Sequence, residues 1–241
     1  MALIVVDRDG FWLGCDGVLQ FADSLGRLRT KRAAPRLQFC AGICYGADCL
    51  TGAPALNHPD NRQRPGQTAT TPTIREIDPA SDAEIDLVAA RMRQTLIEVE
   101  GEETGTALYT LEWLQDRVRF HLDPAKCIGK VFLAEAPGGQ IIGHTIVRIE
   151  TDDAGRQYGL FSTTYVAPES RRLGVAAALL MHGEGWMQQQ QLPESATWTS
   201  ATNAGLIALY TRRGYAITQT HIHETTATEM VRLSRKLADP D

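Results

Sequence analysis

The chain lacks any apolar run approaching the roughly 20 residues that span a bilayer, although 43% of its 241 residues are hydrophobic. The opening Ala2-Leu-Ile-Val-Val6 is too short for the apolar part of a secretion signal, and no basic stretch precedes it. A basic surplus is missing too. The 24 Lys and Arg face 29 Asp and Glu, a net charge of −5, which argues against nucleic acid or an anionic membrane as partner. There is no cysteine framework: five cysteines at irregular spacing fit a reducing cytoplasm better than a secreted scaffold. Two phosphate-loop signatures are absent as well. No GxxxxGK followed by Ser or Thr occurs, and the Gly-rich stretches 101–105 and 136–139 do not match GxGxxG.

Glu is absent from residues 1–71; the first is Glu76. That segment holds 8 Lys/Arg against 6 Asp, a net of +2, while the remainder holds 16 against 23, a net of −7. Residues 59–73, PDNRQRPGQTATTPT, are polar, proline-rich and aperiodic, and read as a linker. We therefore expect a domain over 72–241 preceded by a poorly structured, dispensable extension, 1–71. A reading frame begun too far upstream, with Leu50 or Leu56 as the alternative start, would append such residues. Within the extension, Leu3–Val6 and Phe11-Trp-Leu could form a hairpin. Cys40, Cys44, Cys49 and His58 invite a zinc reading, but the C-x3-C-x4-C-x8-H spacing matches no compact paired knuckle, and no metal is expected.

What the chain does have is concentrated in Tyr165–Ala177, YVAPESRRLGVAA. A β-type run, Leu160–Val166, ends before a proline, and a short charged turn leads into an apolar helical run. Backbone N–H groups at a helix start are unpaired and backed by the positive end of the helix dipole, a geometry that cradles a pyrophosphate. Small residues at Gly174 and Ala176 let phosphate oxygens approach the main chain. Arg171 and Arg172 supply charge beside it. About thirty residues on comes Asn203-Ala-Gly-Leu-Ile-Ala-Leu-Tyr210-Thr-Arg-Arg-Gly214-Tyr215.

Periodicity supplies the frame. Thr73–Ile77 reads as a strand. Ser81, with Glu84 three residues on, signals a helix start, and Ile85, Val88, Ala89, Met92, Leu96 and Val99 recur at helical spacing. Residues 98–105 read as an acidic loop, and Leu108–Leu122 as a second helix. Strands follow at Lys130–Ala136, Ile141–Glu150 and Tyr158–Val166. A helix covers Leu173–Gln190, within which Gly183 and Gly185 each cost about 1 kcal/mol relative to Ala. A strand at Ala196–Ala201, a helix at Ala204–Arg213 and a hairpin of Tyr215–Glu224 with Thr228–Leu237 complete the order. The fold class is α/β (α+β), with a mixed, mostly antiparallel sheet flanked by helices.

With RxxGxA after a strand and the Asn203–Tyr215 pattern in register behind it, residues 72–237 resemble the GNAT superfamily of acyl-CoA-dependent N-acetyltransferases. The resemblance implies the acetyltransferase fold and acetyl-CoA as co-substrate. It gives the pyrophosphate to Arg171, Arg172, Leu173, Gly174, Val175, Ala176 and Ala177. Pantetheine would run beside Thr164, Tyr165 and Val166, with the Val166 N–H as oxyanion donor, and Asn203 would reach it from the next helix. The other reading of Asn203 is a plain N-cap. Tyr210 is the implied general acid, since a phenol can protonate a departing thiolate at neutral pH; its alternative is a core tyrosine packing by its ring.

The base is left open. Leu160–Val166 contains no carboxylate, which disfavours direct deprotonation from that strand and leaves ordered water. Glu135 and His144 are candidates, though each also reads as an ordinary surface group. His221 and His223 could line the acceptor pocket. The run Glu98, Glu100, Glu102 and Glu103 could attract a cationic amine. The expected activity is acetyl transfer to a primary amine of a small molecule or peptide. Polyamines, amino acids, aminoglycoside-like antibiotics and protein amines all remain open as acceptors. The alternative is a non-catalytic acyl-CoA-binding sensor or interaction module. Free edges on the C-terminal hairpin suit a homodimer.

Overall fold

The computed structural model describes residues 2–4, 18–22, 28–32, 71–222 and 228–237. Two compact units emerge: residues 1–15 together with 70–241, and residues 16–69. In the smaller unit, β2 (Val18–Ala22) and β3 (Leu28–Arg32) pair antiparallel. Cys40, Cys44, Cys49 and His58, which the zinc reading would have used, lie outside the described residues, as do Phe11 and His223.

The larger unit begins with β1 (Ala2–Ile4) and resumes at β4 (Thr73–Glu76). Helices α1 (Asp82–Glu100), α2 (Glu102–Ala107) and α3 (Leu111–Leu122) follow. Next come β5 (Gly129–Glu135), β6 (Ile141–Thr151) and β7 (Gln157–Val166), then α4 (Val175–Gln189), β8 (Glu194–Ser200), α5 (Ala204–Thr211), β9 (Ala216–Ile222) and β10 (Glu229–Lys236). The sheet order is β4-β5-β6-β7-β8-β10-β9, with β1 added against β7. Among the described pairs only β7–β8 is parallel, as the intervening helix α4 requires.

The expected acidic loop is mostly helical. Gly101, at φ 84°, ends α1, and α2 starts one residue later. The helix-start signature at Ser81 is half realised. The Ser81 hydroxyl accepts from the Glu84 N–H at 3.3 Å. The Glu84 carboxylate turns instead to the Asp78 N–H at 2.9 Å and to Arg75 at 2.6 Å. That ion pair holds the Glu84 carboxyl below its usual range and fastens α1 to β4.

One apolar cluster joins α1 and α3 to β5 and β6 through Ile85, Val88, Leu114, Val118, Val131 and Ile146. The other packs α4 and α5 on β5–β8 and β10 through Val147, Phe161, Leu179, Met187, Leu206, Tyr210 and Leu233. Close approach of α4 to β7 depends on glycine. A Cβ on Gly159 would stand 2.3 Å from Met187 Sδ, and one on Gly183 would stand 2.5 Å from the Phe161 ring. Gly183 therefore serves packing at the expense of helix propensity. Gly185 has open space around its missing Cβ. No described helix is long and apolar enough to cross a membrane.

Candidate active site

The β7–β8 ladder is short: Gly159, Leu160 and Phe161 pair with Ser195, Ala196 and Thr197. Beyond it β8 stays with β10 and β7 stays with β6, so the two strands part. At the same level the β6–β7 register slips. Ile146 pairs with Thr163 and Val147 with Phe161, which leaves Ser162 unmatched as a bulge. Thr145 pins this kink. Its hydroxyl donates to the Thr163 carbonyl at 2.9 Å and accepts from the Thr164 hydroxyl at 2.8 Å.

After Val166 the chain makes one 3-10 turn, Pro168–Ser170, and reaches the candidate phosphate loop. Arg172 (φ 66°) and Gly174 (φ 84°) are both left-handed, an alternation that turns successive N–H groups to one side as an anion-binding concavity. Gly174 is the N-cap of α4, with no side-chain cap and no acidic residue in the first turn. A Cβ at Gly174 would meet no atom within 4 Å. Its backbone conformation, and the approach of a ligand from outside, are what glycine serves there. Arg172, Leu173 and Gly174 are exposed, Ala176 and Ala177 half-buried, and Val175 anchors the helix start in the core.

Arg171 is engaged elsewhere. Its Nε donates to the Val166 carbonyl at 3.0 Å, and its Nη2 donates to both Glu98 oxygens at 2.8 and 2.9 Å. It ties the end of β7 to the end of α1, leaving Arg172 as the exposed cation of the pair.

Tyr210 is 1% exposed. Its ring meets Phe161 edge-on at 6.0 Å and Tyr215 at 4.8 Å. Its hydroxyl has no well-formed hydrogen bond; Thr197 and Thr164 bring their hydroxyls near it. Burial pushes the phenol well above its ordinary pKa, and the nearby Glu184 charge adds to that. Tyr210 thus stays protonated at any physiological pH and sits beside Thr164, the strand residue expected to run along the cofactor. Asn203 caps α5: its Oδ1 accepts from the Leu206 N–H at 3.3 Å, and its Nδ2 donates to Thr199 Oγ1 at 3.1 Å.

Of the candidate bases, Glu135 accepts from Arg75 at 2.7 Å. His144 is fully buried, stacked on Tyr165 at 5.9 Å, with neither ring nitrogen hydrogen-bonded. Burial, with Arg91 nearby, pushes it down to about 3, so its lone pair is a poor proton acceptor. His221 is exposed on β9. It lines a hollow of about 1010 Å³ together with Tyr158, Leu160, Trp198, Met230 and Arg232. Among the described residues no three side chains cluster as metal ligands.

A second polar assembly escaped the sequence reading. Glu184, 4% exposed, faces Arg213 at 2.9 Å and Arg235 at 3.1 Å. The Tyr215 hydroxyl donates to Glu184 at 2.9 Å and lies 2.6 Å from the Ser195 hydroxyl. Tyr215, so fixed, is the ring against which Tyr210 packs. The available signal was a carboxylate in the apolar stripe of α4: Leu180, Gly183, Glu184 and Met187 are all buried at i, i+3, i+4 and i+7.

Residues 89–215 match the Acetyltransferase (GNAT) family. The match covers more than half the chain, and the protein belongs to that family of acetyl-transferring enzymes. Its fold is similar to a phosphinothricin acetyltransferase from Sinorhizobium meliloti, crystallised in complex with AcCoA. The identity is 16%, the TM-score 0.57, and the match covers 70% of this chain and 89% of that one. A ribosomal-protein-alanine N-acetyltransferase from Brucella melitensis matches at 20% identity and TM-score 0.53, over 68% of this chain and 99% of that one. A chain of the NatC complex, crystallised with Gag peptide and CoA, matches at 14% identity and TM-score 0.56, over 70% of this chain and all of that one. No curated protein matches the sequence.

Proposed function

We propose that the protein is an N-acetyltransferase that moves the acetyl group of acetyl-CoA to a primary amine of a small molecule or peptide. One observation carries the reading: the uncapped, left-handed entry to α4 and the buried Tyr210 flank the stretch where β7 parts from β8. The pyrophosphate takes the N–H groups at 174–177, with Arg172 as its cation. Pantetheine lies along Thr164–Val166, and Asn203 approaches it while capping α5.

The amine nitrogen attacks the thioester carbonyl carbon, and the oxyanion is met by the Val166 N–H. The C–S bond breaks, and the departing thiolate takes the Tyr210 proton. With no carboxylate on β7, Glu135 held by Arg75 and His144 a weak base, the ammonium proton leaves through water. The hollow beside Tyr158 and Trp198 is the seat we assign to the acceptor. The catalytic domain is residues 72–241, with β1 of the preceding segment added to its sheet, and the irregular cysteines support a cytoplasmic location. The titrated chain is expected to bind acetyl-CoA calorimetrically with micromolar affinity and to lose binding on Gly174→Glu, which adds bulk and negative charge at the phosphate. Absence of binding by the unaltered protein would overturn the reading.

A further inference from the structure

The gap between β7 and β8 is not left open by the chain itself. Strand β1 runs antiparallel to β7 with Ala2 opposite Tyr165, Leu3 opposite Thr164 and Ile4 opposite Thr163. It also borders β8 and α1. It therefore enters the sheet where β7 has given up β8, and it takes main-chain groups on the edge of β7 that β8 leaves unpaired. Residues 2–6, ALIVV, are apolar, uncharged and largely β-branched, a composition suited to a strand covered on both faces. The same edge, Thr164–Val166, is the one the proposed function gives to pantetheine.

One strand edge carries one set of outward N–H and C=O groups, so two occupants exclude each other. We infer that the N-terminal strand Ala2–Ile4 is an internal competitor for the acyl-CoA groove, and that acetyl-CoA binds only when this strand withdraws. The inference rests on the acetyl-CoA reading above. A three-residue strand is among the shortest that form, so withdrawal is accessible. The strand acts by lowering the fraction of molecules whose groove is open, and apparent affinity falls by that fraction. Anything that captures the N-terminal segment, such as a partner offering its own strand edge, would then raise acetyl-CoA affinity without touching the catalytic residues.

The test uses the full chain carrying Leu3→Pro with Ile4→Pro. Along an antiparallel pair the N–H groups point alternately toward and away from the partner, so one of two consecutive prolines must remove a ladder donor. Acetyl-CoA affinity should tighten about tenfold by calorimetry, as expected if about one molecule in ten is open beforehand. Hydrogen exchange at Thr164, whose N–H faces β1, should quicken in the free variant. In the unaltered protein, which needs no variant to fold, saturating acetyl-CoA should speed exchange at Leu3 while keeping Thr164 protected. Equal affinity of the two proteins, or β1 amides that stay protected with acetyl-CoA bound, would overturn the inference and leave the proposed function standing. Binding by neither protein would overturn both.

Discussion

Arg171 reaches 73 residues back along the chain to Glu98, with Nη2 placed 2.8 and 2.9 Å from the two carboxylate oxygens. Each side chain is about a quarter exposed, at 28% and 24%, so water screens the pair and its worth is about 1 kcal/mol. Glu98→Gln should lower the melting temperature by about 2–4 °C. It should also release the guanidinium toward the phosphate loop and tighten acetyl-CoA binding about threefold, on the order of 0.6 kcal/mol. Melting and calorimetry on the same preparation check both. A lower melting temperature with unchanged affinity would make Arg171 purely a tie between α1 and β7.

Tyr210→Phe separates chemistry from packing. The hydroxyl is buried without a well-formed partner, so its removal forfeits no good hydrogen bond, and stability should hold within about 0.5 kcal/mol. Turnover should fall by about a hundredfold or more if the phenol protonates the thiolate. Thiol release with acetyl-CoA and an accepted amine both present, alongside a melting curve, gives the answer. Undiminished turnover would remove Tyr210 from the mechanism.

The two glycines inside α4 should respond oppositely to alanine. At Gly185 the new methyl enters open space, and helix propensity alone should stabilise by about 1 kcal/mol. At Gly183 the same gain meets a Cβ 2.5 Å from the Phe161 ring. Overpacking costs about 1–3 kcal/mol, which outweighs the gain. Urea midpoints should move up for Gly185→Ala and down for Gly183→Ala.

His144 gives a pH dependence whose direction follows from its burial. The folded imidazole is pushed down to about 3, whereas in the unfolded chain it titrates near 6.5. Between those values the unfolded state holds the extra proton. Stability therefore falls as pH drops below about 6.5, by up to about 1.4 kcal/mol per unit, and is flat above it. His121, also pushed well down by burial, acts in the same direction. Carboxylates such as Glu84 contribute only below about pH 5. From pH 6.5 to 5, His144→Phe should remove about half the slope in urea unfolding free energy. A slope equal to that of the unaltered protein would mean that the imidazole is solvated and charged.

Strand and helix placement was legible because period and punctuation agreed: Pro168, the Pro-Gly-Gly turn at 137–139 and Gly214 all mark element ends. The open entry to α4 was legible because Gly174 and the small residues after it mark a helix start with no side-chain cap. The helix α2 was not, since Glu102, Glu103 and Gly105 suggest solvent exposure as readily as a helical turn. Arg171 read as a phosphate cation because Glu98 is remote in sequence and only the fold brings them together. Strand β1 was hidden for the same reason: four or five apolar residues do not say which edge they will join. The bulge at Ser162 has no sequence signature at all.

The parting of β7 from β8 has a consequence for how this enzyme can change. A ligand laid along a strand edge is gripped by peptide groups, which every residue type carries alike. Side chains on β7 are then free to drift so long as the split and the bulge survive. Substitution can rewrite most of the surface while the backbone frame persists, and a chain 14–20% identical to three structures it matches can retain their architecture. Inheritance here runs through backbone shape more than through residue identity.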